Sequence, residues 1–164
     1  MKPPTLKQVT MTINGRPVTD SVEPRLSLAD FLREHLQLTG THLGCETGAC
    51  GACTVLIDDV PVPSCLIFTV LLSGSEVRTI EGFDDDDVMS ALRAAFSQDH
   101  ALQCGFCTPG MLITARDIVL RLPDAEEHQI RQELSGNLCR CTGYMGIVAA
   151  IQRVLRECKA KRNI

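Results

Sequence analysis

Three cysteines within nine residues constrain this chain more than any other feature. The stretch Gly44-Cys45-Glu46-Thr47-Gly48-Ala49-Cys50-Gly51-Ala52-Cys53 spaces its thiols C-x4-C-x2-C, and Cys65 follows twelve positions later. This is the plant-type spacing for a 2Fe–2S cluster, which needs four thiolates converging on two irons. A loop that wraps so compact a core must bring its backbone close. Gly44, Gly48 and Gly51 permit positive φ and leave no side chain in the way. N–H groups of such a loop can point at the sulfurs and adjust the reduction potential. Cys65 lies nearer the triplet than the last cysteine of an ordinary plant-type ferredoxin. Beside Leu66, Ile67 and Phe68 it would also suit a buried thiol, but three ligands would leave one iron unfilled.

A second set follows as two pairs, Cys104-Gly105-Phe106-Cys107 and Cys139-Arg140-Cys141. Each pair sits in a turn between helical patterns, so two helical hairpins could present two thiolates each to one cluster. Structural zinc is the alternative, since C-x2-C pairs also make zinc sites; the C-x-C pair is not among the common zinc spacings. Alongside the first set, a second 2Fe–2S cluster is the expectation. Cys158 is left over and extends the Ile147, Ile151, Val154 face by a turn, which packing explains. His35, His42, His100 and His128 share no spacing, and no Ser/His/Asp, HExxH or P-loop pattern occurs, so the chain offers no catalytic machinery of its own.

Composition narrows the class further. With 164 residues the chain could form one domain or two small ones, and only 4% aromatic content and no Trp leave each core light, so the nine cysteines are expected to help hold it together. A net charge of −4, with basic residues scattered apart from Lys159, Lys161 and Arg162, argues against nucleic acid. No run approaches the roughly 18 apolar residues of a membrane helix, and Met1–Gln8 has neither an apolar h-region nor a small-residue cleavage site. A cytoplasmic location is therefore expected, unless a partner carries the export signal for a whole complex. Cytosolic thiols stay reduced, which favours ligands over disulfides.

In chain order, Val9, Met11 and Ile13 alternate with Thr10 and Thr12 as a half-buried strand. Asn14-Gly15 supplies a tight hairpin into Pro17–Val22. Ser27 to Leu36 reads as a helix capped by Ser27, with Leu28, Phe31, Leu32 and Leu36 on its apolar face. Thr54–Ile57, a turn at Asp58-Asp59 and Val60–Val62 form a second hairpin, and Val77–Ile80 closes the sheet. Beyond Gly82 the pattern becomes helical. Asp84 caps a helix through Val88, Leu92, Ala95 and Phe96; Thr108 caps one with Pro109 at its first position. Two more follow over Ala125–Leu134 and Tyr144–Cys158, separated by Ser135-Gly136-Asn137. The fold class expected is α+β: a ferredoxin-like domain over residues 1–82, then an all-α four-helix domain over residues 83–164.

The first cysteine stretch, continuing into Thr54-Val55, resembles the N-terminal cluster motif of the molybdenum hydroxylases. Gln103-Cys104-Gly105-Phe106-Cys107-Thr108-Pro109-Gly110 and Gly136-Asn137-Leu138-Cys139-Arg140-Cys141-Thr142-Gly143-Tyr144 resemble that family's second set. This is the xanthine dehydrogenase, carbon monoxide dehydrogenase and quinoline oxidoreductase family, and the chain is similar to its separate small subunit over residues 9 to about 156. The resemblance implies a β-grasp domain holding a cluster on Cys45, Cys50, Cys53 and Cys65, and a helical domain holding one on Cys104, Cys107, Cys139 and Cys141. It implies a large partner subunit with a molybdenum–pterin cofactor, which hydroxylates substrate with oxygen from water, and a medium subunit with FAD, in a dimer of heterotrimers. Electrons would pass singly through the helical-domain cluster, then the β-grasp cluster, to FAD or a cytochrome. It also implies that Gln103 and Cys141 lie against the pterin, although spacing alone equally allows Gln103 to bond local backbone. Arg140 would contact a partner, raise the nearby potential or simply face solvent, and Met145 stands where relatives often have glutamine. A free-standing two-cluster ferredoxin and a zinc-stabilised interaction module are the competing functions.

Overall fold

The computed structural model describes residues 5–162. Strand β1 (Lys7–Ile13) buries Val9, Met11 and Ile13, and β2 (Arg16–Val22) returns antiparallel beside it. The turn sets Asn14 and Gly15 at φ 50° and 74°, the left-handed pair that matches the strand twist. β3 (Thr54–Ile57) and β4 (Val60–Pro63) repeat the device, with Asp58 and Asp59 at φ 49° and 64°. β5 (Glu76–Arg78) is parallel to β1 and antiparallel to β3, which gives a mixed sheet of order β2-β1-β5-β3-β4. It is shorter than Val77–Ile80 implied, because Thr79 turns aside to exchange two hydrogen bonds with the Asn14 side chain.

The helix expected over 27–36 is regular only over α1 (Leu28–Asp30), where the Ser27 hydroxyl accepts the Asp30 N–H. It then widens to a π-turn over Phe31–His35, closed by Leu36 N–H donating to the Phe31 carbonyl at 3.3 Å. The wider turn lets Leu36 and Leu38 both pack on the sheet core with Leu28, Phe31 and Leu32.

The second half holds α2 (Asp87–Gln98), α3 (Thr108–Arg121), α4 (Glu127–Glu133) and α5 (Met145–Arg162), with a short 3-10 turn at Leu134–Gly136. The described residues thus carry five α-helical segments in all, α1 included. The cap of α2 is Asp86, not Asp84: Asp86 accepts the Met89 N–H at 2.8 Å, while Asp84 pairs with Arg93. A turn from Phe83 to Asp86 keeps the chain outside the helix for two residues more than the charge run suggests. In α3 the cap position falls on Cys107, so Thr108 is already helical, and α4 starts at Glu127 because Glu126 and Gln129 form a capping box. Helix α3 runs through the middle, with six consecutive buried residues from Gly110 to Ala115, against β3 on one side and α2 and α5 on the other.

Two cores meet at β3. Val55 packs with the sheet core, whereas its neighbour Leu56 belongs to the helical core with Phe83, Met89, Met111 and Ile147. Alternation along a strand sends successive side chains to opposite faces, so one strand serves both cores.

The connection between halves is pinned on both sides. Glu81 accepts the Gly40 N–H at 2.8 Å. Phe83 is fully buried, with the guanidinium groups of Arg78 and Arg116 at 4.0 and 5.1 Å from its ring centre. Arg116 also pairs with Asp86 at 2.7 Å. Burial pushes the Asp86 carboxyl up, but the bonds from Arg116 and the Met89 N–H outweigh it and hold its pKa below the ordinary value. A carboxylate so lowered stabilises the fold above the usual carboxylate range and loses that contribution as pH falls below it. Asp86→Ala should therefore lower stability by about 2–4 kcal/mol at neutral pH, from the lost cap and the orphaned Arg116. In chemical denaturation the gap from the unaltered protein should narrow below about pH 4.

Candidate metal centres

The first cysteine loop is irregular and is bent by left-handed residues at Glu46, Gly48 and Gly51, with φ 54°, 74° and 67°. Gly44 is needed for a different reason: a Cβ there would stand 3.2 Å from the Cys50 sulfur. Cys45 Sγ accepts the Thr47 N–H at 3.4 Å. Hydrogen bonds from Thr47, then Cys50, lower the Cys45 pKa to about 6. Cys65 is brought in by its neighbour Ser64, whose hydroxyl and N–H both donate to the Cys53 carbonyl, at 2.7 and 3.2 Å. Burial and then the adjacent Cys53 thiol push Cys65 up to about 11. The sulfurs thus stand in twos, Cys45 by Cys50 and Cys53 by Cys65.

In the second set, Cys104 and Cys107 lie in the turn before α3, and Cys139 and Cys141 in the loop before α5. Cys141 Sγ is 3.6 Å from Cys104 Sγ. Two sulfurs at corners of one tetrahedral metal, with bonds of about 2.3 Å, stand about 3.8 Å apart. Cys107 faces Cys139, and burial followed by that neighbour raises Cys107 to about 12. Burial also works to raise Cys139, but bonds from Thr142 and the Cys141 backbone outweigh it and lower its pKa. Thr142 Oγ1 donates to Cys139 Sγ at 3.1 Å. The Tyr144 hydroxyl accepts the Cys139 N–H at 2.8 Å and donates to the Asn137 carbonyl at 3.3 Å. Gln103, Cys104, Arg140 and Cys141 are exposed, as are the apolar side chains of Leu102, Leu138 and Met145. Cys158 is packed against the helical core.

The two regions touch directly. Leu138 N–H donates to the Cys50 carbonyl at 2.8 Å, which leaves one hydrogen bond between the Cys50 residue and the residue preceding Cys139. Asn137, 5% exposed, donates from Nδ2 to the Gly51 carbonyl at 3.1 Å and accepts the Thr114 hydroxyl at 2.9 Å. His42 Nδ1–H donates to the Phe106 carbonyl at 2.8 Å and its ring stacks on Phe106 at 4.9 Å. Sequence reasoning treated His42 as ordinary and Asn137 as a helix stop. The GNLC stretch beside Cys139 was the only local signal for Asn137, and none marked His42.

Whether these thiols suit a cluster is a question of donor chemistry. Among the described residues no three His, Cys, Asp or Glu side chains converge as they would around a single ion. They pair instead, and a 2Fe–2S cluster takes two thiolates on each iron. In each set a thiol is raised by its neighbour, Cys65 by Cys53 and Cys141 by Cys104, as closely spaced acidic groups do. Thr108 Oγ1, beside Cys107, is buried without a hydrogen-bond partner among the described residues, a donor left for a bound group. The donor set fits.

Residues 11–76 match the 2Fe–2S iron–sulfur cluster binding domain family, and residues 79–152 match a second 2Fe–2S binding domain family. The chain is 48% identical over 149 residues to caffeine dehydrogenase subunit gamma of Pseudomonas sp. (strain CBB1), covering 89% of each chain. It is 46% identical to the nicotine 6-hydroxylase small subunit of Paenarthrobacter nicotinovorans, covering 88% of this chain and 87% of that one. A chain of quinoline 2-oxidoreductase from Pseudomonas putida 86 superposes with a TM-score of 0.88 at 46% identity, covering 98% of this chain and 99% of that one. The chain belongs to the small iron–sulfur subunits of the molybdenum hydroxylases. A small subunit of this family carries two 2Fe–2S clusters and serves electron transfer within an oxidoreductase; a free-standing carrier is not favoured. No helix among the described residues is long and apolar enough to cross a membrane.

The contact between halves leaves no room for added volume. A Cβ on Gly110 of α3 would collide with the Gly51 carbonyl. Gly110→Ala should cost about 1–3 kcal/mol by overpacking, read as a lower denaturation midpoint with an unchanged slope.

Proposed function

We propose that this subunit relays single electrons from a molybdenum–pterin centre on a large partner subunit to FAD on a medium one. The observation that carries the reading is the 2.8 Å bond from Leu138 N–H to the Cys50 carbonyl, which ties the loop of one cysteine set to the segment of the other. In this reading Cys45 and Cys50 hold one iron of the first cluster, and Cys53 and Cys65 the other. In the second, Cys104 with Cys141 and Cys107 with Cys139 each hold one iron. Each cluster, when bound, accepts and releases one electron without making or breaking a bond.

The chain's own residues do the rest. Thr47 and Thr142 donate to ligand sulfurs, which favours the thiolate form needed for ligation. Cys53 is buried, and Cys45, Cys50 and Cys65 are half-buried. Cys104 and Cys141, exposed beside Gln103 and the apolar Leu102, Leu138 and Met145, form the face that we assign to the molybdenum–pterin subunit. Gln103 and Cys141 would meet the pterin there. With both clusters bound, Leu138 and Cys50 would lie between the Cys139 side and the first set, on the way toward FAD. The architecture of this reading is a β-grasp module over residues 1–82 and a four-helix module over 83–164, in a cytoplasmic dimer of heterotrimers. Because the relatives are named for caffeine, nicotine and quinoline, we assign the complex an N-heteroaromatic substrate hydroxylated with oxygen from water.

The complex purified from its native cells should contain molybdenum, and four irons per copy of this chain. Migration of the chain as a lone 17.9 kDa species without molybdenum would sink the subunit reading. Cys50→Ala should remove one of two EPR signals and leave the other; loss of both from a folded protein would contradict two separate sites. Cys158→Ala should keep iron near full occupancy, and loss of half the iron would make Cys158 a ligand.

A further inference from the structure

We infer that Asn137 is a positioning residue for electron exchange between the two clusters, and that Thr114 orients it. The inference rests on the two-cluster reading above. At φ −122° and ψ 106° Asn137 is extended, so the left-handed backbone that favours asparagine after a helix does not explain it. Its side chain has a different task. The amide oxygen accepts the Thr114 hydroxyl from α3 at 2.9 Å, and the amide nitrogen reaches the Gly51 carbonyl at 3.1 Å and Thr54 Oγ1 at 3.4 Å. These bonds bracket the Leu138–Cys50 bridge, since Asn137 precedes Leu138 and Gly51 follows Cys50.

The bridge needs that support. Leu138 is 54% exposed, and while His42 ties the Cys104–Cys107 turn to the first loop, the Cys139 segment would otherwise be held to Cys50 by one backbone bond. Such a bond contributes only about 1 kcal/mol net. The buried amide, satisfied on both ends, fixes which way the 137–139 segment faces. The step it governs is a one-electron exchange, one site oxidised as the other is reduced, with no proton or atom moved.

The test uses the purified complex, with Asn137→Asp, which keeps the shape but turns an acceptor toward the Gly51 carbonyl, and Thr114→Val, which frees the amide to rotate. Each fully reduced cluster carries one unpaired spin, and two spins at fixed separation split each other's EPR lines. Both variants should keep full iron and two signals, lose much of that splitting, and slow intercluster transfer after flash reduction. Unchanged splitting in a variant with full iron overturns the inference. If Asn137→Asp loses iron, Thr114→Val decides, and loss of iron there as well overturns it, because the pair would then be holding a site together rather than coupling two. An unaltered complex with a single reduced signal would instead overturn the two-cluster reading itself.

Discussion

The carbonyl oxygen of Gly51 is the point on which the molecule hangs together. It accepts from Thr54 N–H, the Thr54 hydroxyl and Asn137 Nδ2, at 3.2, 2.7 and 3.1 Å. One of these donors comes from the 137–139 segment of the second half, and Gly110 of α3 packs on the same oxygen with no space for a methyl. A saturated, buried acceptor tolerates little displacement, because any loosened donor is left unsatisfied away from water. The loop that bears Cys45, Cys50 and Cys53 is therefore referenced to α3 and to the Cys139 segment, and through them to the second thiol set.

A second constraint is electrostatic. Each set places thiols so close that one raises its neighbour's pKa, and each also supplies donors that favour thiolate on another, Thr47 for Cys45 and Thr142 for Cys139. The sets differ in exposure: Cys53 is buried, whereas Cys104 and Cys141 are open to solvent, with exposed apolar Leu102, Phe106, Leu138 and Met145 close by in sequence. A surface of that kind is suited to being covered.

Most of the plan was legible in the sequence because it rests on local rules. Asn14-Gly15 and Asp58-Asp59 announce hairpins through their backbone preferences, and the cysteine spacings announce clusters through ligand geometry. Errors arose where a distant partner decided the outcome. Asp86 caps α2 instead of Asp84 because the Phe83 turn, clasped by Arg78 and Arg116, delays the helix. At Gly44 half of the expectation applies: the missing side chain spares the Cys50 sulfur, but the backbone is not left-handed. Asn137 and His42 act across 86 and 64 positions, on Gly51 and Phe106, and no periodicity reports a contact of that reach.

The placement of Leu56 bears on how the clusters are assembled. A side chain from β3 completes the helical core, so a fragment carrying only the helices would have an empty seat where Leu56 belongs, and the sheet alone would expose Leu56 to water. Unfolding of either half would expose Leu56 or the core it completes, which couples the two halves. Iron and sulfide must then be delivered to both sites on a single folding scaffold. Neither half could be traded for a foreign module without supplying a new partner for that strand.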